Sequence, residues 1–82
     1  MGDYYNISEL MKRISVLLME EQGKLNVSNF QMSQRLDIPI RTYCRLINGN
    51  APGINIETLV KIVVNSNISY TDIFRIYDNF TI

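Results

Sequence analysis

The chain has 82 residues, 46% of them hydrophobic and 20% charged, and its eight basic and eight acidic side chains give a net charge of zero. A chain of this length can bury one small core, so we expect a single domain over residues 1–82. Histidine is absent and Cys44 is the one cysteine. An internal disulfide is therefore excluded, and an enzyme would lack the commonest general base and metal ligand. We expect neither catalysis nor a cofactor.

The apolar stretches of the sequence are only a few residues long, which is too short for a signal peptide or a membrane span. We therefore expect a cytoplasmic protein that does not bind a membrane. No pattern of residues indicates a small-molecule substrate.

The charges are distributed unevenly along the chain, although their sum is zero. Residues 24–56 carry four basic residues against one acidic residue, or +3. Residues 1–23 carry two against four, or −2, and residues 57–82 carry two against three, or −1. The positive potential is therefore concentrated in the middle third, which favours a polyanionic partner for that segment.

The first segment predicts an amphipathic helix. Its apolar residues follow the i, i+3, i+4, i+7 spacing of one helix face, and they are Ile7, Leu10, Met11, Ile14, Leu17 and Leu18. Asn6 can cap this helix, with Glu9 completing a capping box. Gly23 is expected to end it, because glycine readily adopts the left-handed conformation that follows a last turn.

Two short helices are predicted next. Ser28 and Gln31 form a capping box that begins helix 2, from about Asn29 to Leu36. Asp37 tolerates a left-handed turn and Pro39 suits a first helical turn, so helix 3 follows at once and ends near Asn48, before Gly49. We expect helix 3 to bury Tyr43, Leu46 and Ile47, and to place outward or at its margin Ile40, Arg41, Cys44, Arg45 and Asn48.

Two more helices follow a loop rich in turn-forming residues. Asn55 can cap helix 4, and the predicted buried face of helix 4 contains Ile56, Leu59, Val60 and Val63. Ser69 with Asp72 forms a third capping box and begins helix 5, from about Tyr70 to Tyr77. Because no segment of comparable length alternates like a strand, the sequence predicts an all-α domain with its core over about residues 7–77.

The two short helices belong to a longer pattern that resembles a known family. Two helices joined by a tight turn, the second with basic residues on its outer face, can place one helix in the DNA major groove. The run from Val27 to Gly49, followed by Ile56–Val63 and Ile68–Phe74, resembles the lambda-repressor-like, or Cro/XRE, helix-turn-helix family. The resemblance covers about residues 7–74. It implies a five-helix, all-α DNA-binding domain with its helix-turn-helix over about residues 28–48.

The resemblance also implies roles for individual residues. Ser33 takes the small position where helices 2 and 3 cross, and Ile38 takes the buried position in the turn. The residues expected to contact DNA bases are Ile40, Arg41, Cys44 and Arg45, and those expected to contact the DNA backbone are Asn29, Asn48 and Asn50. Arg41 is the leading candidate, because its guanidinium can bond guanine O6 and N7 together, whereas Ile40 and Cys44 offer apolar contact to a thymine methyl group.

The function implied is a transcriptional regulator, such as a repressor, that binds double-stranded DNA. Helix 5 and the C-terminal tail hold more apolar surface than a small domain can cover, which predicts a homodimer through this region and a palindromic operator. An alternative keeps the fold as a protein-interaction module, such as an antirepressor or an antitoxin-type partner binder. The zero net charge favours this alternative, and so do Ile40 and Cys44, which are unusual residues for reading bases; an exposed isoleucine on a helix often marks a protein contact.

Overall fold

The computed structural model describes residues 7–75, and within this range it contains five helices and no strand. The helices are α1 (Ile7–Leu25), α2 (Asn29–Leu36), α3 (Ile40–Ile47), α4 (Ile56–Val64) and α5 (Tyr70–Phe74). The all-α prediction is therefore confirmed for the described residues. The predicted cap at Asn6 and the predicted end of helix 5 at Tyr77 lie outside them. None of the five helices is both long enough and apolar enough to cross a membrane.

One hydrophobic core joins all five helices. Its buried side chains are Met11, Ile14, Leu17, Leu18, Met32, Leu36, Ile38, Tyr43, Leu46, Ile62, Ile68 and Ile73. The longest helix, α1, contacts both α3 and α5, and α2 packs against α3. Each fully buried large apolar side chain contributes about 1.5–3 kcal/mol, so the four core residues of α1 are a large part of what holds α3 and α5 in place.

The helix starts follow the predicted capping chemistry. The hydroxyl of Ser28 accepts a 3.1 Å hydrogen bond from the backbone N–H of Gln31, whose side chain accepts one of 2.9 Å from the Ser28 N–H. Ser69 and Asp72 form the same reciprocal pair, and these bonds lower the pKa of the Asp72 carboxyl. Asn55 caps α4 with a 2.8 Å bond from the third N–H of the helix. All three caps are confirmed.

The first three helices end on residues with positive φ, namely Asn26, Asp37 and Gly49. At each end two N–H groups bond carbonyl groups of the last turn, which is the pattern of a Schellman motif. The predictions for Asp37 and Gly49 are confirmed. Gly23 was the wrong residue for the end of α1, because the helix continues to Leu25, which packs against the core. Asn26, a residue that tolerates the left-handed conformation, takes the position instead.

The face that α4 buries also differs from the prediction. Ile62 is fully buried, whereas Ile56 and Val60, both expected in the core, are 73% and 39% exposed. The apolar residues of α4 cover more than half of its circumference, so its sequence does not single out which part of that wide face is buried. In the observed rotation, the side-chain amide of Asn65, the residue after α4, donates 3.1 Å to the Leu36 carbonyl at the end of α2. Leu59 and Val63 are half-buried against the core, as expected.

Two glycine substitutions test these helix boundaries. No atom lies within 4 Å of the position that a Cβ would take at Gly23 or at Gly49, but Gly49 has a φ of +75°. Gly23→Ala should raise the free energy of unfolding by about 0.5–1 kcal/mol, because alanine is the better residue inside a helix. Gly49→Ala should lower it by about 1 kcal/mol, because the left-handed conformation strains any Cβ. Urea unfolding followed by circular dichroism measures both, and a destabilised Gly23→Ala variant would contradict the continuous α1.

Candidate nucleic-acid interface

The helix α3 has one buried side and one exposed side. Tyr43 and Leu46 are 0% and 2% exposed, as predicted, while Ile47 is half-buried rather than buried. We call the opposite side, with the first residue beyond the helix, the α3 outer face. It consists of Ile40, Arg41, Cys44, Arg45 and Asn48, all exposed except the half-buried Cys44. The helix is therefore strongly amphipathic and presents a short polar and apolar surface to solvent.

A hydrogen-bond network holds α3 against the first two helices. The hydroxyl of Tyr43 donates to the side-chain oxygen of Gln22 on α1. The Gln22 amide nitrogen donates 3.0 Å to the Val27 carbonyl and 2.9 Å to the side-chain oxygen of Asn29. The Asn29 amide nitrogen then contacts the Cys44 sulfur at 3.9 Å. This chain of contacts, which we call the Tyr43 network, begins and ends on α3. A polar network whose groups all have hydrogen-bond partners fixes the relative positions of the helices that it joins.

Burial determines the ionisation of the Tyr43 phenol. Removal of the ring from water, with a smaller contribution from Cys44, raises the pKa of Tyr43 from 10.0 to about 12. Burial disfavours the charged phenolate, so the hydroxyl stays protonated at physiological pH. It therefore remains a donor to Gln22 under all conditions in which the domain is expected to work.

Further contacts fix both ends of α3. The hydroxyl of Ser15 on α1 donates 2.9 Å to the Ile47 carbonyl at the end of α3. At the other end, Ile38 is buried and its N–H donates 3.0 Å to the Ser33 carbonyl. Ser33 is only 2% exposed, and its hydroxyl bonds the Phe30 carbonyl within α2. The burial expected for Ser33 and Ile38 is therefore confirmed, and the α2–α3 turn leaves α3 little freedom.

The outer face carries two arginines and no acidic residue. Neither Arg41 nor Arg45 forms a salt bridge within residues 7–75. The nearest acidic residue in sequence is Asp37, whose carboxylate lies 3.5 Å from the ammonium group of Lys61. That ion pair offsets the negative charge before α3. Both guanidinium groups are therefore available for an anionic partner.

The three asparagines predicted to contact a DNA backbone lie at the ends of the two short helices. Asn29 is the first residue of α2 and is brought against α3 by its contact with Cys44. Asn48 follows the last turn of α3, and Asn50 lies two residues further on, with its N–H donating 3.0 Å to the Arg45 carbonyl. All three are exposed. Their contact with DNA remains a prediction.

Two features of this region were not found from the sequence. Phe30, the second residue of α2, is 57% exposed next to Asn29; its position off the apolar stripe of α2 is the signal that could have identified it. Gln22 joins the Tyr43 network from 21 residues away in sequence. No local pattern marks such a residue, because its partner is set only by the packing of α1 against α3.

Arg45 also borders a shallow groove between α3 and the start of α4. The groove, of about 240 Å³, is lined by residues of α3, the loop after it and the first turn of α4. Among residues 7–75, no three acidic or cysteine side chains lie close enough together to hold a metal ion. The chemistry that the α3 region offers is therefore that of arginine, amide and apolar groups.

Comparison with protein-family models, curated proteins and solved structures finds no match to this chain. The geometry of α3 and its surroundings is what bears on function. That geometry consists of an exposed, basic helix face on a buried and hydrogen-bonded support.

The raised pKa of Tyr43 predicts a specific pH dependence of stability. The pKa of this phenol is about 12 in the folded state and 10.0 in the unfolded chain, so the folded state holds the proton more tightly. The resulting contribution to the free energy of unfolding is fully present below pH 10 and is lost as the pH rises from 10 to 12. The corresponding loss is about 2–3 kcal/mol.

Tyr43→Phe isolates this effect. At neutral pH the variant should be less stable by about 0.5–1.5 kcal/mol, because the bond to Gln22 is lost. Above pH 10 its free energy of unfolding should fall less steeply than that of the wild type. Urea unfolding at a series of pH values measures both quantities, and identical slopes for the two proteins would contradict a buried, protonated Tyr43.

Proposed function

We propose that this protein is a sequence-specific DNA-binding transcriptional regulator with a lambda-repressor-like fold, which inserts α3 into the major groove of double-stranded DNA. The observation that carries the proposal is the exposed pair Arg41 and Arg45, which form no salt bridge with any residue the structure describes and lie on a helix whose other side is anchored by Tyr43. A short helix pair with a basic second helix suits the width of the major groove. The short α2–α3 pair within five helices supports the family proposed.

Arg41 and Arg45 lie one helical turn apart. Four residues of an α-helix rise by about 6 Å, close to the spacing of two base pairs, so the two guanidinium groups can address neighbouring positions in one groove. Arg41 is assigned the bidentate contact to guanine, with Arg45 at the margin. Ile40 and Cys44 are assigned apolar contacts to thymine methyl groups. Asn29, Asn48 and Asn50 are assigned the flanking phosphates or sugars.

The low net charge limits what non-specific attraction can contribute. DNA-binding proteins gain most of their sequence-independent affinity from neutralised phosphates, and here the basic residues are few. Base contacts and dimerisation must therefore supply much of the affinity. The homodimer predicted through helix 5 and the C-terminal tail stays a prediction: Tyr70 is 44% exposed, and residues 76–82 lie outside the described range.

Selection of bound duplexes from a random library, followed by titration at two salt concentrations, tests the proposal. Arg41→Ala should weaken binding to the selected duplex by about 5- to 150-fold, which corresponds to about 1–3 kcal/mol, and should relax the preference at one base pair. Arg35→Ala, an exposed arginine of α2 outside the α3 outer face, is the matched control and should bind within about twofold of the wild type.

The salt dependence measures how many phosphates the bound protein neutralises. A plot of the logarithm of the binding constant against the logarithm of the salt concentration should have a slope of about −0.9 for each phosphate that the protein neutralises. Failure to bind any duplex at low salt would overturn the proposal. Equal losses for Arg41→Ala and Arg35→Ala would overturn the assignment of the α3 outer face.

A modified duplex tests the apolar contacts. Replacing the thymines of the selected site with deoxyuridine removes one methyl group each, and loss of one such contact is worth about 0.8 kcal/mol, or about fourfold in affinity. With the thymines replaced one at a time, the wild type should show this loss at the thymines that Ile40 and Cys44 contact, whereas Ile40→Ala should lose sensitivity at one of them and keep it at the other. The same fourfold loss at every one of these positions in Ile40→Ala would show that Ile40 does not contact a methyl group.

A second candidate function is a protein-interaction module on the same fold. It is favoured by Phe30 and Ile40, which are 57% and 38% exposed on consecutive helices, because large apolar side chains at the surface are typical of protein contacts. The duplex selection distinguishes the two functions. A chain that enriches no sequence and binds no duplex favours the interaction module.

A further inference from the structure

The fourth helix presents a row of apolar side chains to solvent. We call Ile56, Val60 and Val64 the α4 stripe; they are 73%, 39% and 70% exposed. The spacing i, i+4, i+8 places them on one side of the helix over about 12 Å, opposite the fully buried Ile62. Single exposed apolar residues are ordinary, but a continuous row is characteristic of a surface that another protein covers.

We propose that the α4 stripe is covered by α4 of a second copy of this chain, packed antiparallel about a two-fold axis that passes beside Val60. The stripe is symmetric about its central residue, with one apolar side chain a full turn away in each direction. Reversal of the helix therefore places Ile56 against the second copy's Val64, and Val60 against its own equivalent. A self-complementary surface of this kind is what an isologous interface requires.

The charged residues beside the stripe agree with the antiparallel arrangement. Glu57 and Lys61 flank Val60 on the same side of α4, and their side chains lie 3.4 Å apart. In the antiparallel pair, Glu57 of each copy comes alongside Lys61 of the other, within about 3 Å along the helix axis by the rise per residue. In a parallel two-fold pair, Glu57 and Lys61 of one copy would lie on the opposite side of the interface from those of the other, so this pairing would not form. The surface is thus complementary in charge to itself, which favours a second copy over an unrelated partner.

The interface is small, so the dimer should be weak. Stable interfaces bury about 800 Å² per partner, and a three-residue stripe covers only part of that area; we therefore expect a dissociation constant of about 10 μM or higher. The proposal does not depend on DNA binding. It would nevertheless give a two-fold pair of α3 helices, which a palindromic DNA site requires.

Sedimentation of the full chain over a range of concentrations tests the proposal. The wild type should change from monomer to dimer. Val60→Glu, which places two carboxylates next to the axis, should weaken self-association by about tenfold or more. Val16→Glu is the matched control, because Val16 is a similarly exposed valine, at 46%, on α1. It should dimerise like the wild type, and circular dichroism confirms that each variant is folded.

Charge reversal tests the antiparallel geometry. Glu57→Lys and Lys61→Glu should each weaken the dimer, and the double variant should recover most of the loss, because the pairs between copies are restored with opposite polarity. Lys61→Glu also replaces the ion pair with Asp37 by two like charges. This loss within one copy is the same in the single variant Lys61→Glu and in the double variant, so the difference between these two variants reports only the pairs between copies.

Three outcomes would overturn the proposal. The first is a monomer at every concentration, whether the stripe is left open or is covered by another part of the same chain. The second is a dimer that survives Val60→Glu, which would place the interface elsewhere, for example on α5. The third is a double charge reversal no better than Lys61→Glu alone.

Discussion

The position of α3 depends on the hydrogen bond between the buried Tyr43 hydroxyl and Gln22. An aromatic ring with no exposed surface contributes strongly to the core, but its hydroxyl would cost about 1–3 kcal/mol if it were left without a partner. Gln22 satisfies the hydroxyl, and its own amide is satisfied by Val27 and Asn29. Each bond therefore requires the next, and α3 can take few orientations other than the observed one relative to α1 and α2.

This support has consequences for the exposed side of α3. A helix that is fixed by its buried side presents Arg41 and Arg45 from a rigid backbone, so little ordering of the main chain opposes binding. Asn29 takes part in the same network through both of its side-chain polar atoms. Any contact that Asn29 makes with a phosphate must use its remaining amide hydrogen or its backbone N–H, and ligand binding at α3 is thereby linked to the network beneath it.

The parts of the fold that could be predicted from sequence are those governed by local chemistry. Ser28 begins a helix because its own hydroxyl satisfies an N–H three residues away, and that information lies within one turn. The end of α1 was missed because packing of Leu25 against the core outweighs the preference of Gly23 for a turn. The rotation of α4 could not be predicted because its apolar face covers more than half of the helix, and the sequence does not say which part of that face is buried. Gln22 could not be found, since its partner is distant in sequence.

The central claim is that the exposed side of α3, held by the Tyr43 network, is the surface that contacts DNA. Titration of isotope-labelled protein with a selected duplex, followed by amide chemical shifts, tests it most directly. We predict that the largest changes occur at Arg41, Cys44, Arg45 and Asn48, with a second group at Asn29, while changes in α4 are smaller and follow the pairing of two copies. Changes centred on α4 or α5, or none at a duplex concentration that saturates binding, would contradict the account.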